Sequence, residues 1–196
     1  MGKATESLER EHQAIQKAVA VMARIVDQLE LKHLIEADLL RDLIQFMRIY
    51  GDQCHHGKEE SYLFPLLEQR GVPATGCPLS ALKGEHVKGR QMMDEFASAA
   101  VTYIADTEGG RLGLIQALQG LVTLYPAHIW KEDYLLFPMA AKVLSGEDDK
   151  LLLEQFTEVE SGLGSNAHDT YEALAEALMQ RVGECPQCAS SQHAAD

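Results

Sequence analysis

Apolar residues recur every three or four positions along most of the chain. In the first predicted helix, Leu8, Ile15 and Val26 share this spacing, which is the period of an amphipathic helix. The same pattern predicts helices over about residues 6–30, 36–70, 80–105, 111–144 and 148–182. There is no sustained two-residue alternation and no Asn-Gly or Asp-Gly hairpin turn. The chain is therefore predicted to be all-α.

Glycine and proline mark the connections between these helices. Pro73 and Pro78 interrupt the pattern after the second helix, and Gly109 and Gly110 interrupt it after the third. The stretch 161–166 contains two glycines and weakens the middle of the last helix. For a chain of 196 residues, this organisation indicates one compact domain with a short tail.

One pattern occurs twice. The first copy starts at His55 and reads HHGKEESYLFP, and the second starts at His128 and reads HIWKEDYLLFP. Both contain His-x-x-Lys-Glu, followed at a fixed distance by Leu-Phe-Pro. Because proline lacks an N–H donor and clashes with the preceding turn, Pro65 and Pro138 are predicted to kink or end their helices.

The repeat extends towards the N-terminus of each half. Glu11-His12 precedes the first copy and Glu85-His86 precedes the second, so equivalent positions differ by 73 or 74 in residue number. Each half is therefore predicted to be one helical hairpin. Two stacked hairpins make an up-down-up-down four-helix bundle, to which the chain adds a C-terminal helix.

The repeated histidines and glutamates are predicted to meet inside this bundle, because side chains four residues apart share one helix face. The candidate metal ligands are His12, His55, Glu59, His86, His128 and Glu132. Two unpaired carboxylates in an apolar interior would be costly, and a pair of cations removes that cost. Nitrogen and oxygen ligands without a thiolate favour iron first, and manganese or zinc after it.

The order His, His-x-x-x-Glu, His, His-x-x-x-Glu resembles that of hemerythrin-like, HHE-type cation-binding domains over about residues 5–144. The resemblance implies a four-helix bundle that holds two non-haem iron ions, bridged by carboxylates and an oxo group. It also implies that the histidines are terminal ligands and that Glu59 and Glu132 bridge the irons.

One departure from the oxygen-carrying hemerythrins bears on function. Those proteins have a second histidine four residues after the one on the third helix, whereas this chain has Arg90. Without a fifth histidine, the centre is expected to leave more positions open than a reversible oxygen carrier needs. We therefore expect a di-iron protein that binds and reacts with O2, NO or H2O2. If it is an enzyme, it is a peroxidase-like or NO-reacting oxidoreductase, with no catalytic residue apart from the metal ligands.

A second interpretation is a protein that senses oxygen or iron without turnover and acts through a protein partner. In that case the last helix or the tail would pass the signal from the centre to the partner. Loss of metal would loosen the bundle, because metal binding contributes folding free energy in such sites.

Two ligand assignments within the motif have alternatives. His56 and Glu60 are also four residues apart, and Asp133 fits the position of the acid in the oxygen carriers. Alignment of both copies on Leu-Phe-Pro favours His55 and Glu59, which leaves His56 and Glu60 on neighbouring faces.

Two further features outside the repeat carry candidate roles. Tyr50, just over one turn before His55, is either a core residue or a hydrogen-bond donor or radical relay behind the ligands. Cys185 and Cys188 have the Cys-x-x-Cys spacing of a redox pair or half a zinc site. We predict a bundle over 1–144, an additional helical segment over 145–182 that packs on it, and a flexible tail over 183–196 that carries these cysteines.

Charge and composition narrow the range of partners. The formal net charge is −13 and no run of lysine or arginine forms a basic stripe, so nucleic acid is not expected as a partner. No apolar run approaches the roughly 18 residues of a membrane span, and the N-terminus is not signal-like. A cytoplasmic location is the resulting expectation.

Overall fold

The computed structural model describes residues 2–76, 78–164 and 166–183, which form six helices and contain no β-strand. Helix α1 is Lys3–Glu30 and α3 is Leu79–Ala105. Helix α2 runs through Ala37–Phe46, Met47–His56, Glu59–Leu63 and Phe64–Gln69, and α4 through Thr107–Lys131, Glu132–Leu136 and Phe137–Val143. Helices α5 and α6 are Gly146–Leu163 and Ala167–Gly183. The all-α prediction is confirmed.

Helices α1 to α4 pack as the predicted antiparallel bundle. Helix α4 lies along both α3 and α1, and α2 contacts α1 and α3. Buried apolar side chains form two separate clusters in the interior. The larger cluster includes Ile15 and Met93, and the smaller one includes Leu8 and Phe137. A layer of polar side chains lies between these two clusters, and His12 is in that layer, between Leu8 and Ile15 along α1.

Parts of α2 and α4 are π-helical. The π segments are Met47–His56, Glu59–Leu63 and Glu132–Leu136. Neither Pro65 nor Pro138 ends its helix, because a π turn comes directly before each Phe-Pro pair and the widened turn relieves the clash with the preceding carbonyl. Such π turns are rare in proteins as a whole but frequent at functional sites. Their position therefore favours a functional role for the polar layer.

The connection between α3 and α4 is tighter than the sequence indicated. The Asp106 carboxylate accepts a hydrogen bond from the backbone N–H of Gly109 at 3.0 Å, so α4 begins at Thr107 and not near residue 111. Gly109 and Gly110 lie in the first turn of α4. A Cβ atom on Gly110 would lie 2.5 Å from the Tyr103 backbone, so glycine allows the two helices to meet closely.

The C-terminal segment forms two helices, separated at Gly164, which has a positive φ of 129°. Helix α5 starts with a capping box between Ser145 and Asp148, and Arg70, directly after α2, donates two hydrogen bonds to the Asp148 carboxylate. Helix α6 packs on α1 and α2. The division of the chain at residue 144 stays a prediction, and Cys185 and Cys188 lie outside the described residues.

Candidate metal centre

All six predicted ligands lie in the polar layer between the two apolar clusters. Helices α1 and α3 supply one histidine each, and α2 and α4 supply one histidine and one glutamate each. The side chains concerned are His12, His55, Glu59, His86, His128 and Glu132, and none is more than 3% exposed. The structure therefore brings together residues that are far apart in sequence into one buried layer.

The histidine nitrogens surround the two carboxylates. His12 Nε2 lies 3.0 Å from His55 Nε2 and 3.2 Å from Glu132 Oε2. On the other side, His128 Nε2 lies 3.1 Å from Glu132 Oε1. One oxygen of Glu132 thus lies next to His12, and the other lies next to His128.

Glu59, on α2, is the counterpart of Glu132 in the first half. Its Oε2 atom lies 3.4 Å from His86 Nε2 and 3.8 Å from His55 Nε2. The Glu132 Oε1 atom also lies 3.6 Å from His86 Nε2. Each carboxylate therefore lies between histidines of different helices, an arrangement in which one carboxylate can contact two cations.

Several of these atoms are buried without a hydrogen bond of acceptable geometry in the described part of the chain. They are both carboxylate oxygens of Glu59, both of Glu132, and the Nε2 atoms of His86 and His128. A buried polar atom without a partner costs free energy, and such atoms are rare in folded proteins. Four carboxylate oxygens and two imidazole nitrogens that face one another fit cations, which would satisfy all of them.

Each predicted histidine ligand is oriented by a carboxylate. Its Nδ1 donates to that carboxylate, so Nε2 is left to face the centre. The four pairs are His12 with Asp133 (2.7 Å), His55 with Glu11 (2.9 Å), His86 with Glu60 (2.6 Å) and His128 with Glu85 (3.1 Å). Metal-binding histidines are commonly held in this way, which supports the interpretation as a metal centre.

The sequence pattern indicates the orienting acids only in part. Glu60 and Asp133 are alternative metal ligands by their spacing, and the structure instead places them behind His86 and His12. Glu11 and Glu85 stand out in the sequence only as parts of the repeat. A signal for them was present, because a residue that recurs in both halves beside a ligand has a reason to be retained in both.

The lysine of the His-x-x-Lys-Glu pattern also has a defined place. Lys58 forms ion pairs with Glu11 and, at 2.6 Å, with Glu160 of α5. In the second half, Lys131 pairs with Glu85. Each lysine thus fixes the carboxylate that orients a histidine of its own half.

His56 lies inside the centre, contrary to the expectation that it points to a neighbouring face. Its ring is 3% exposed and stacks on His86 with 3.9 Å between ring centroids. Its Nδ1 donates to Asp52 at 3.2 Å, and Arg90 donates to the same carboxylate at 2.8 Å. Tyr50 is buried further out, where its hydroxyl lies 3.5 Å from His168 Nδ1.

Burial and neighbouring charges separate the pKa values of the two central carboxyl groups. Burial, and then the negative charge of Glu132, raise the pKa of Glu59 well above the ordinary range. Burial alone would also raise the pKa of Glu132, but His128 and His12 outweigh it and hold that pKa well below the ordinary range. Without a cation, the pair therefore favours one retained proton over two negative charges.

The nearby thiol is not a candidate ligand. Cys54 is buried directly before His55, and burial raises the pKa of its thiol to about 12. The thiol therefore stays protonated at neutral pH. Among the described residues, the groups close enough to share a cation consist of histidine and glutamate only.

Two cavities reach residues that contact the predicted ligands. One, of about 270 Å³, is lined by His56, Asp52, Arg90 and Tyr125 and by five further residues of α2 and α3. The other, of about 380 Å³, is apolar and is lined by Ile129, Trp130 and Asp133 among others. The internal repeat relates the positions of the two cavities, since His56 corresponds to Ile129.

The antiparallel four-helix bundle, with a buried layer of histidines and carboxylates at its centre, places the chain in the class of helical metal-binding proteins. Residues 3–140 match the family model of the hemerythrin HHE cation binding domain. The chain belongs to this family. Helices α5 and α6 lie beyond the matched residues.

The chain is also similar to uncharacterized proteins of Mycobacterium bovis and Mycobacterium tuberculosis. Each is 27% identical to it over 157 residues, which make up 80% of this chain and 61% of the relative. The chain thus spans less than two thirds of the length of these relatives. No solved structure gives a significant match.

None of the described helices is both long and apolar enough to cross a membrane.

Proposed function

We propose that this protein holds two non-haem iron ions between its four histidines and two glutamates, and that O2, NO or H2O2 reacts at this centre. The observation that carries the proposal is the set of buried oxygens of Glu59 and Glu132 without hydrogen-bond partners, which face histidine Nε2 atoms on both sides. Imidazole and carboxylate together suit iron, with manganese and zinc as the nearest alternatives.

The residues around the centre support this chemistry. When bound, iron supplies redox and Lewis-acid chemistry. The carboxylates on Nδ1 hold the imidazoles in place and keep them electron-rich. The apolar clusters on both sides exclude bulk water, while the two cavities offer short routes for a small molecule.

Metal analysis and spectroscopy of the purified protein test the proposal. We expect two iron ions per chain and an absorption spectrum that changes when peroxide or NO is added to the reduced protein. His128→Ala should lower the iron content, whereas His33→Ala, in the connection between α1 and α2, should leave it unchanged. Absence of iron, or spectra unaffected by both reagents, would contradict the proposal.

A second candidate function, sensing through a partner, is favoured by the contact between the C-terminal helices and the centre. Glu160 of α5 accepts from Lys58, and His168 Nε2 of α6 lies 3.0 Å from Glu11 Oε1. Lys58 also pairs with Glu11, so both contacts lead to the carboxylate that orients His55. A change at the centre would therefore reach α5 and α6, which can carry it to a partner.

Hydrogen exchange distinguishes this second function. We expect amides of 146–183 to exchange more slowly in the iron-loaded protein than in the apoprotein, and we expect the difference to shrink in His168→Gln. Exchange in α5 and α6 that is the same with and without iron would remove the basis for sensing, without affecting the proposed reaction.

A further inference from the structure

We propose that His56 is a fifth histidine ligand, which gives one metal position three imidazoles and the other position two. The proposal rests on the metal centre proposed above and deepens it. It concerns a residue of α2, outside the set of four histidines that the repeat supplies.

The geometry around His56 matches that of a ligand. His56, His86 and His128 each present a ring nitrogen, and these three atoms lie within 4.8 Å of one another. The Nδ1 atom of His56 donates to Asp52, so Nε2 is the nitrogen left for a cation. All five buried histidines in the described part of the chain thus have a carboxylate on Nδ1. His168 differs, because acids contact both of its ring nitrogens.

The backbone explains how two adjacent histidines can both point inwards. Successive residues of an α-helix lie far apart around the helix axis, so His55 and His56 would normally point to different sides. The stretch Met47–His56 is π-helical, and its i to i+5 hydrogen bonds put more residues in each turn. Neighbouring side chains are therefore closer in direction. The equivalent stretch of α4 is ordinary α-helix within Thr107–Lys131.

His56 and the two residues that support it, Asp52 and Arg90, all depart from the internal symmetry of the chain. Its counterpart in the second half is Ile129, which is buried and apolar. The residues that support His56 differ from their counterparts too: Asp52 corresponds to Tyr125, and Arg90 corresponds to Gln16. The histidine and the acid of the first half and the arginine of the second are therefore joined by hydrogen bonds, where their counterparts Ile129, Tyr125 and Gln16 include no histidine, acid or arginine.

Arg90 has a role in this arrangement that its position in the sequence did not indicate. Its Nε donates to Asp52 at 2.8 Å and its Nη2 donates to Glu60 at 2.9 Å. These two acids orient His56 and His86. The oxygen carriers have a ligand histidine at this position of α3. Here Arg90 instead supports a ligand on α2, so the centre does not lack a fifth histidine.

The position with three imidazoles and the position with two should differ in metal affinity. With iron(II) under anaerobic conditions, we expect the wild-type chain to bind two ions. His56→Ile, which introduces the residue of the other half, should retain one ion tightly and release the second to a chelator at least about tenfold faster. Ile129→Leu and His33→Gln are the matched controls and should behave like the wild type.

A count of the ligating histidines tests the proposal independently of how His56→Ile folds. In the wild-type chain loaded with cobalt(II), each ligating imidazole gives one exchangeable ring N–H proton signal with a large paramagnetic shift. Five such signals are expected, and four in His56→Gln.

Four signals in the wild type, or wild-type release rates in a folded His56→Ile chain, would overturn the assignment of His56 and leave the four-histidine centre intact. A wild-type chain that binds no metal would instead contradict the proposed function. The two failures are therefore distinguishable.

Discussion

Lys58 and Glu11 form an ion pair in which both side chains are completely buried. Burial of two charges is costly, and removal of one partner leaves the other charge uncompensated in a low-dielectric interior. The corresponding pair of the second half, Lys131 and Glu85, is partly exposed, with 30% and 22% of the side chains accessible. The two halves therefore have the same pair in two different environments.

This difference predicts unequal effects of the same substitution. Lys58→Met should lower the free energy of unfolding of the apoprotein by about 3–5 kcal/mol, because Glu11 and Glu160 lose their cation. Lys131→Met should cost about 1 kcal/mol or less. Urea titration followed by circular dichroism measures both, and equal losses would show that burial does not separate the two pairs.

The acids behind the histidines should affect metal retention. Glu11→Gln and Glu85→Gln each replace the carboxylate that accepts from His55 or His128 by a neutral amide. We expect metal affinity to fall by about 10–100-fold in each variant. Glu158→Gln, at an exposed position of α5, is the control. Chelator competition provides the measurement, and wild-type affinity in both variants would contradict an orienting role.

Two glycines of α4 should respond to alanine in opposite directions. Gly110→Ala places a Cβ atom 2.5 Å from the Tyr103 backbone, so α3 and α4 must separate and the protein should lose stability. Gly113 is exposed in the same helix and has open space around it, so Gly113→Ala should stabilise the protein by about 0.5–1 kcal/mol. Thermal unfolding of the two variants gives the comparison, and a Gly110→Ala chain that melts no lower than the wild type would rule out the close approach.

Acid should weaken the attachment of α5. The hydrogen bonds from Arg70 and the Ser145 backbone hold the pKa of Asp148 well below the ordinary range for aspartate. Because the folded-state pKa is the lower one, this contribution to stability is present above about pH 4, the ordinary aspartate value, and is lost as pH falls further.

Asp148→Asn should therefore have a lower melting temperature than the wild type at pH 6, and it should lose less on transfer to pH 3. Asp169→Asn, at an exposed position of α6, should follow the wild type at both pH values. An Asp148→Asn chain that is as acid-sensitive as the wild type would mean that this carboxylate is not the source of the effect.

The sequence predicted the bundle and the convergence of the six repeated residues because both depend on local periodicity and internal repetition. The roles of Glu11 and Glu85 could not be read in the same way, since each acts on a histidine of another helix. The direction of His56 could not be predicted from the sequence for a different reason. The prediction assumed α-helical spacing, and the π-helical stretch Met47–His56 changes the direction of the side chain.

The halves of the chain share the candidate ligands in a way that sets the order of events during synthesis. At the centre, each group of side chains close enough to share a cation draws on both hairpins: His12 and His55 meet Glu132, Glu59 meets His86 and Glu132, and His56 meets His86 and His128. A ribosome that has released only the first hairpin has made no complete group. Metal capture must therefore wait for the second hairpin, and iron would enter a bundle that is already assembled.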